Sequence, residues 1–234
     1  MGSSIYHAGW QTGYYYQPGE VPALSMAYNE SRRLALGRLL EEARTAAADA
    51  VVGVRITQGA HDWAPGAVEF IAVGTAVHMP ERLRAPGGAT VLTDLSGQEF
   101  WKLCAAGMRP VGIAAHTSVH YVPATWQTRM AQGSSMFGGS SSWTNQELPD
   151  FTQGVYDARE TAMRQLTTQA AESGGHGVVG VTIDQHSRTY RVRRGGFETD
   201  DLIVTFHVMG TVIQEDPALG VEAPPPALSV LSLS

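Results

Sequence analysis

The 234-residue chain has one cysteine, Cys104, which excludes an intramolecular disulfide framework and any Cys-x-x-Cys metal or redox pair. Charged residues make up 16% of it, the net charge is −6, and the Lys and Arg residues form no cluster. A nucleic-acid binder needs a concentrated basic face, and so does a protein held on anionic lipid. Neither partner is expected. No apolar run approaches the roughly 18–20 residues that span a bilayer. The opening Met1-Gly2-Ser3-Ser4-Ile5-Tyr6-His7 lacks the basic and apolar regions of a signal peptide, so the expected compartment is the cytoplasm. The chain also lacks a Gly-x-Ser-x-Gly elbow, a phosphate-loop pattern and a His-Glu-x-x-His helix. An enzyme is not expected.

What is present is a repeat. Residues 20–56 and 147–183, slid by 127 positions, are identical at 11 of 37 places. Glu20-Val21-Pro22 answers Glu147-Leu148-Pro149, and Val51-Val52-Gly53-Val54 answers Val178-Val179-Gly180-Val181. With loops free to differ, Trp10-Gln11-Thr12 answers Trp126-Gln127-Thr128, and Ser3-Ser4-Ile5 answers Thr117-Ser118-Val119. Gly74-Thr75-Ala76-Val77 likewise answers Gly210-Thr211-Val212-Ile213. The agreement at Ser3-Ser4-Ile5 marks the N-terminus as native sequence, not an expression scar. Two copies of one small unit follow, and a repeat missed is a fold miscalled.

Each copy reads as strand, loop, helix, strand, hairpin, strand. The first strands are placed at 3–10 and about 110–122. The helices start at Pro22 and Pro149, where a first-turn proline costs no hydrogen bond, and run to about Ala47 and Ser173. Leu36, Leu39, Leu40 and Ala43 recur at the spacing of one buried face, echoed by Met163, Leu166 and Ala170. Asp150 and Gln153 have capping-box spacing, and Gly174-Gly175 is a helix stop. The Val- and Ile-rich strands at 50–57 and 177–184 read as covered on both faces. Gly53 and Gly180 interrupt them at the same place, as a bulge does. The last strands are at 68–78 and 202–214, and the second hairpin is nine residues longer and carries Arg188, Arg191, Arg193 and Arg194.

The expected organisation is a first domain at 1–80, a linker with an added helix at 81–107, a second domain at 108–214, and a Pro-rich extended tail at 215–234. The added helix has Asp94 or Ser96 as cap and Phe100, Leu103, Cys104 and Gly107 along one side. A mobile Gly/Ser loop is expected at 127–146, and a linker at 80–93. Each unit is a small two-layer α+β sandwich that buries little by itself, so pairing with its twin or with other chains is physically expected.

The order Asp49-Ala50-Val51-Val52-Gly53-Val54 after an alanine-rich helix, then a strand ending Gly74-Thr75-Ala76-Val77, resembles the YbjQ-like family of heavy-metal-binding domains. Copy two resembles it through 177–181 and 210–212. Most of the chain is covered, at about 3–79 and 108–214. The resemblance implies an α+β fold of two tandem β-α-β-β two-layer domains with antiparallel sheets, related to dodecin-like subunits. It also implies homo-oligomeric rings, pentamers being typical, and a divalent or soft metal ion as cofactor. Two features depart from it. Two copies share one chain, and copy one begins late, so either the reading frame is longer or a neighbour completes that sheet.

The ligands a heavy metal wants, clustered thiolates or imidazoles, are scarce. Cys104 is expected on the buried side of its helix, in a structural role. His116 and His120 share a strand face about 13 Å apart, too far to chelate one ion. His207 and Met209, two apart and facing the same way, are the better local pair and the metal candidates. No histidine recurs between the copies: His7 aligns with Tyr121 and His176 with Asp49. Glu41-Glu42 reads as a solvated helix face, and Glu198, Asp200 and Asp201 as hairpin solubility. Trp10 with Tyr14-Tyr15-Tyr16 suits either a planar ligand or partner, or a loop packing its own rings. Two functions follow. The first is a non-enzymatic, self-assembling ring-type oligomer, with loop aromatics and the Arg-bearing hairpin on one face. The second is an oligomer that holds a metal ion or small planar ligand at its subunit interfaces.

Overall fold

The computed structural model describes residues 1–7, 17–59, 67–131, 147–194 and 197–219. They form two four-stranded sheets and four helices. Copy one supplies β1 (Gly2–His7), α1 (Pro22–Thr45), β3 (Ala50–Gly59) and β4 (Ala67–Val77). Its short β2 (Gly19–Glu20) instead pairs with the other sheet. Between the copies lie β5 (Val91–Leu92) and α2 (Gly97–Ala105). Copy two supplies β6 (Met108–Val122), α3 (Trp126–Ala131), α4 (Pro149–Glu172), β7 (Gly177–Arg194) and β8 (Phe197–Glu215). The sheet orders are β1-β4-β3-β5 and β2-β6-β8-β7. All pairings are antiparallel except that of β3 with β5.

Pro22 and Pro149 open the two long helices as expected, in the first turn, where a missing N–H costs nothing. Both helices are 24 residues long. Leu39 and Ala43 of α1 are buried, Leu36 and Leu40 partly so, and α4 buries Ala158, Ala162, Leu166 and Ala170 on its own sheet. Small residues predominate on that α4 face, so the helix lies close: a Cβ built on Gly154 would stand 2.2 Å from a Val122 methyl. Gly53 and Gly180 do carry bulges, with φ of +61° and +65° and a register shift beside each.

Several expectations are corrected. Asp150 does not cap α4: Pro149 at the first position makes Leu148 the N-cap, with no side-chain bond. The Asp150 carboxylate instead accepts from Thr125 N at 2.9 Å and Thr128 Oγ1 at 2.6 Å, tying α3 to the start of α4. The 80–93 stretch is not a plain linker, because Val91 and Leu92 pair in parallel with Ala50 and Val51. The 127–146 loop begins inside α3, and its remainder from 132 lies outside the described residues, as do Trp10 and Tyr14-Tyr15-Tyr16. Asp201 is wholly buried, not a solubilising hairpin residue. The tail starts as strand and a 3-10 turn, Pro217–Leu219, pinned by a 2.6 Å Arg109–Asp216 ion pair. The rest, 220–234, lies outside the described residues. For α2 the cap is Ser96, in a full capping box with Glu99. Cys104 is buried beside Phe100 and Val52, as expected.

β7 differs most from its reading. Its twin β3 is covered, with Val51, Val52 and Val54 buried. β7 is the edge strand of its sheet, and residues 180–190 are exposed, Val181 and Ile183 included. Its Val/Ile run matches that of β3. The cover does not.

Candidate functional site

The two copies meet along one seam, where copy one closes the outer edge of β6. Beyond the short β2, no strand among the described residues pairs there. Side chains of α1 take the place of one. Asn29 Nδ2 donates to Thr117 O at 2.9 Å, and Thr117 N donates to Asn29 Oδ1 at 2.8 Å. Val119 N donates to Ser25 Oγ at 3.0 Å, and Val21 N donates to Val119 O at 2.7 Å. A buried backbone group left unpaired costs about 1–3 kcal/mol, so this lacing fixes which residues of α1 can sit on β6. The apolar side chains follow. Val119, Tyr121 and Ile203 of copy two join Leu24, Leu39 and Phe70 of copy one in a single core.

Further along the seam, Thr93 and Thr211 hydroxyls lie 2.8 Å apart, both fully buried. Asp94 N donates to Thr211 Oγ1 at 3.2 Å, and that hydroxyl donates to the Asp94 carboxylate. Burial pushes the Asp94 carboxyl above its ordinary range, against the opposing hydrogen bond from Thr211.

Between these two contacts lies a cavity of about 370 Å³, lined by Arg32, Phe70, Asp184, His186, His207 and Met209 among others. His207 and Met209, the sequence candidates, are thus brought to one wall. His207 Nδ1 is 2.8 Å from Thr117 Oγ1, and its ring meets Tyr28 at a tilt and His186 and Phe70 edge-on, with centroids 5.6, 5.8 and 6.3 Å away. Its Nε2 is buried with no hydrogen-bond partner. Burial, reinforced by Arg32 and His186, pushes the His207 pKa down to about 3. Arg32 is itself buried, with its guanidinium 5.7 Å over the Phe70 ring and donating to Asn29 Oδ1. Burial pushes Arg32 down to about 10, which leaves it a cation at neutral pH.

Arg32 is the residue the sequence reading passed over. The signal was there, since Arg32 and Arg159 are among the identities of the repeat. His186 belongs to the longer hairpin and had no counterpart to flag it. His116 and His120, the other paired histidines, both have a buried, unpartnered Nε2 on β6. They stay apart from the His207 cavity walls.

These side chains do not suit a resident metal. A soft ion needs several neutral or anionic donors, and a buried guanidinium stands in the same wall as His207 and Met209. Among the described residues, no group of three or more His, Cys, Asp or Glu is placed to share an ion. The Cys104 thiol lies in a different cluster, its pKa pushed up by burial.

With this geometry in view, the chain can be compared with known proteins. The YbjQ family, described as "Putative heavy-metal-binding", matches at residues 16–80 and again at 119–211. The chain belongs to that family and carries two copies of its domain. It is 36% identical over 186 residues to the encapsulin nanocompartment protein Rv1762c of Mycobacterium tuberculosis, a match covering 77% of this chain and 67% of that protein. Over 59 residues it is 46% identical to a UPF0145 protein of Methanococcus vannielii and 37% identical to one of Clostridium perfringens. Each of those matches covers 25% of this chain and 54% of the relative, so the chain spans about half the length of these relatives. No solved structure matches. No described helix is long and apolar enough to cross a membrane.

Proposed function

We propose that the chain is a non-enzymatic, self-assembling protein of nanocompartment type, which repeats from chain to chain the contact that joins its two copies. The observation that carries this is the exposure of both missing halves of the seam. On copy one, Ile5 and Val73 are 52% and 42% exposed, and they stand where copy two has the seam residues Val119 and Met209. On copy two, Tyr156 is 57% exposed, and it stands where α1 has Asn29. A surface that is buried once within the chain and bare once outside it is a heterologous interface, and such interfaces close into rings when the rotation allows. The result is a pseudo-symmetric, ring-type homo-oligomer in the cytoplasm, needing neither nucleic acid nor membrane. The name of the mycobacterial relative supports a compartment-type assembly.

Native mass spectrometry at micromolar concentration tests the reading. The expected mass is a multiple of 25.0 kDa. Val73→Asp, which places a charge on an already exposed strand face, is expected to release the 25.0 kDa chain without loss of helix or sheet signal. A wild-type protein that stays at 25.0 kDa would overturn it.

The seam cavity supports a second reading, an oligomer holding a small planar anion. A buried cation, an aromatic wall at Phe70, and the unpartnered His207 Nε2 converge there. A mass adduct retained by the native protein and lost in His207→Ala supports it; the absence of any adduct counts against it.

A further inference from the structure

The cavity lined by Arg32 and His207 does not end at the histidines. A second cavity, of about 200 Å³, adjoins it and shares Gln58, His186 and His207 with it. The two are lengths of one cleft, pinched where those three side chains meet. β8 gives the cleft its floor and β7 its outer wall. Met209, His207, Thr205 and Ile203 alternate along β8, and the register sets Thr182, Asp184, His186 and Arg188 of β7 opposite them in turn. Side chains two apart on a strand share a face, so both rows look toward copy one. Copy one supplies the inner wall, with Tyr28 and Arg32 of α1 and Gln58 of β3. A cleft between two domains, part apolar and part polar, is where small ligands are usually held.

Each length of the cleft holds one cation. Arg32 is 4% exposed and donates to the neutral amide of Asn29, and among the described residues no carboxylate pairs with it. A charge taken out of water is ordinarily paired, because its desolvation is otherwise uncompensated. Arg188 lines the smaller cavity, is exposed, and likewise forms no ion pair among the described residues. Its hairpin does carry carboxylates, but Glu198 and Asp200 reach Arg191 instead, at 3.9 and 3.3 Å. Arg188 stands opposite Ile203, four residues along β8 from His207. That is about 13 Å of strand, which the reach of the arginine side chain shortens. One carboxylate lies in the cleft wall, that of Asp184, exposed and opposite His207. It disfavours a ligand charged along its whole length and leaves one that is negative only at its ends.

We propose that this cleft binds a planar dicarboxylate with an uncharged body, one carboxylate on Arg32 and the other on Arg188. The guanidinium fork matches a carboxylate at either end, and the flat body lies along the rings of Phe70, His207 and His186. This rests on the planar-anion reading of the seam cavity and adds to it: that reading needs Arg32, and a dianion needs Arg188 as well. The two cations come from different copies, so the ligand ties α1 of copy one to β7 of copy two.

Isothermal titration calorimetry of the full chain with benzoate and with terephthalate tests it. Terephthalate carries a second carboxylate at the far end of the same ring, and it is expected to bind more than about tenfold more tightly, the scale of one charge-assisted contact. Arg188→Ala, an exposed position, should abolish that preference. Arg191→Ala removes an equal charge from the same hairpin and should leave the preference intact. Equal affinity for the two probes overturns the dicarboxylate and leaves the single-anion reading standing. So does a preference that survives Arg188→Ala, or one that Arg191→Ala removes as well. Binding of neither probe by the folded parent overturns both.

Discussion

Asp201→Ala is expected to lower the unfolding free energy by about 2–5 kcal/mol, the cost of leaving two buried donors without an acceptor. The carboxylate of Asp201 is 0% exposed. Its Oδ1 accepts Ala124 N at 2.8 Å, and its Oδ2 accepts the Tyr121 hydroxyl. Tyr121 is itself buried and belongs to the core that both copies share. The carboxylate thus links the end of β6 to β8 and keeps a phenol in an apolar interior. Asp201→Asn isolates the cause. Its amide oxygen can still take Ala124 N, and its NH2 can donate to the tyrosine oxygen, so most of the loss should be restored. Denaturant unfolding at fixed protein concentration gives the comparison, the concentration being held because assembly stabilises by mass action. An alanine variant within about 0.5 kcal/mol of the parent, the range of ordinary surface changes, would falsify the assigned role.

The elements that repeat were readable because the same local physics acts twice. Both first-turn prolines and both strand glycines fall at the same offset, and one sequence reading predicts both helices and both bulges. The residues that misled are those whose role depends on what lies across the chain. Val181 and Val54 are the same residue in the same strand, yet only Val54 lies under β5. Asp201 sits among Glu198 and Asp200 in a hairpin that looks solvated, and the tyrosine that buries it is 80 residues away. Arg32 reads as one more charge on a helix, until α1 is seen to lie against β6 with Phe70 beneath the guanidinium. Of the candidate site, His207 and Met209 were legible as a pair by strand alternation. That Arg32 and His186 close the same cavity is a fact of the seam, which no local pattern encodes.

Acidification is expected to destabilise the protein from about pH 6.5 downward, ahead of ordinary carboxylate protonation, and His207 should carry the largest share. Burial pushes His207 down to about 3 with help from Arg32 and His186, and burial also lowers His116 and His120. A histidine whose folded pKa lies below its unfolded value binds protons more readily when unfolded. Its contribution is therefore complete above about pH 6.5, the unfolded value, and is lost as pH falls toward the folded one. For His207 alone that amounts to about 2 kcal/mol by pH 5, at ~1.4 kcal/mol per unit. Asp94 acts in the opposite sense, since its raised pKa makes the folded state take up a proton first, and it blunts the loss at the acid end. Thermal midpoints measured between pH 7.5 and 4.5 should fall for the parent. His207→Gln, which can keep a bond to Thr117 but cannot titrate, should fall less steeply even if it begins lower. Equal slopes for parent and variant would mean that the seam histidine is not what senses the proton. Because His207 lies where the two copies join, the same loss should loosen the seam first, and with it the contact proposed to repeat from chain to chain.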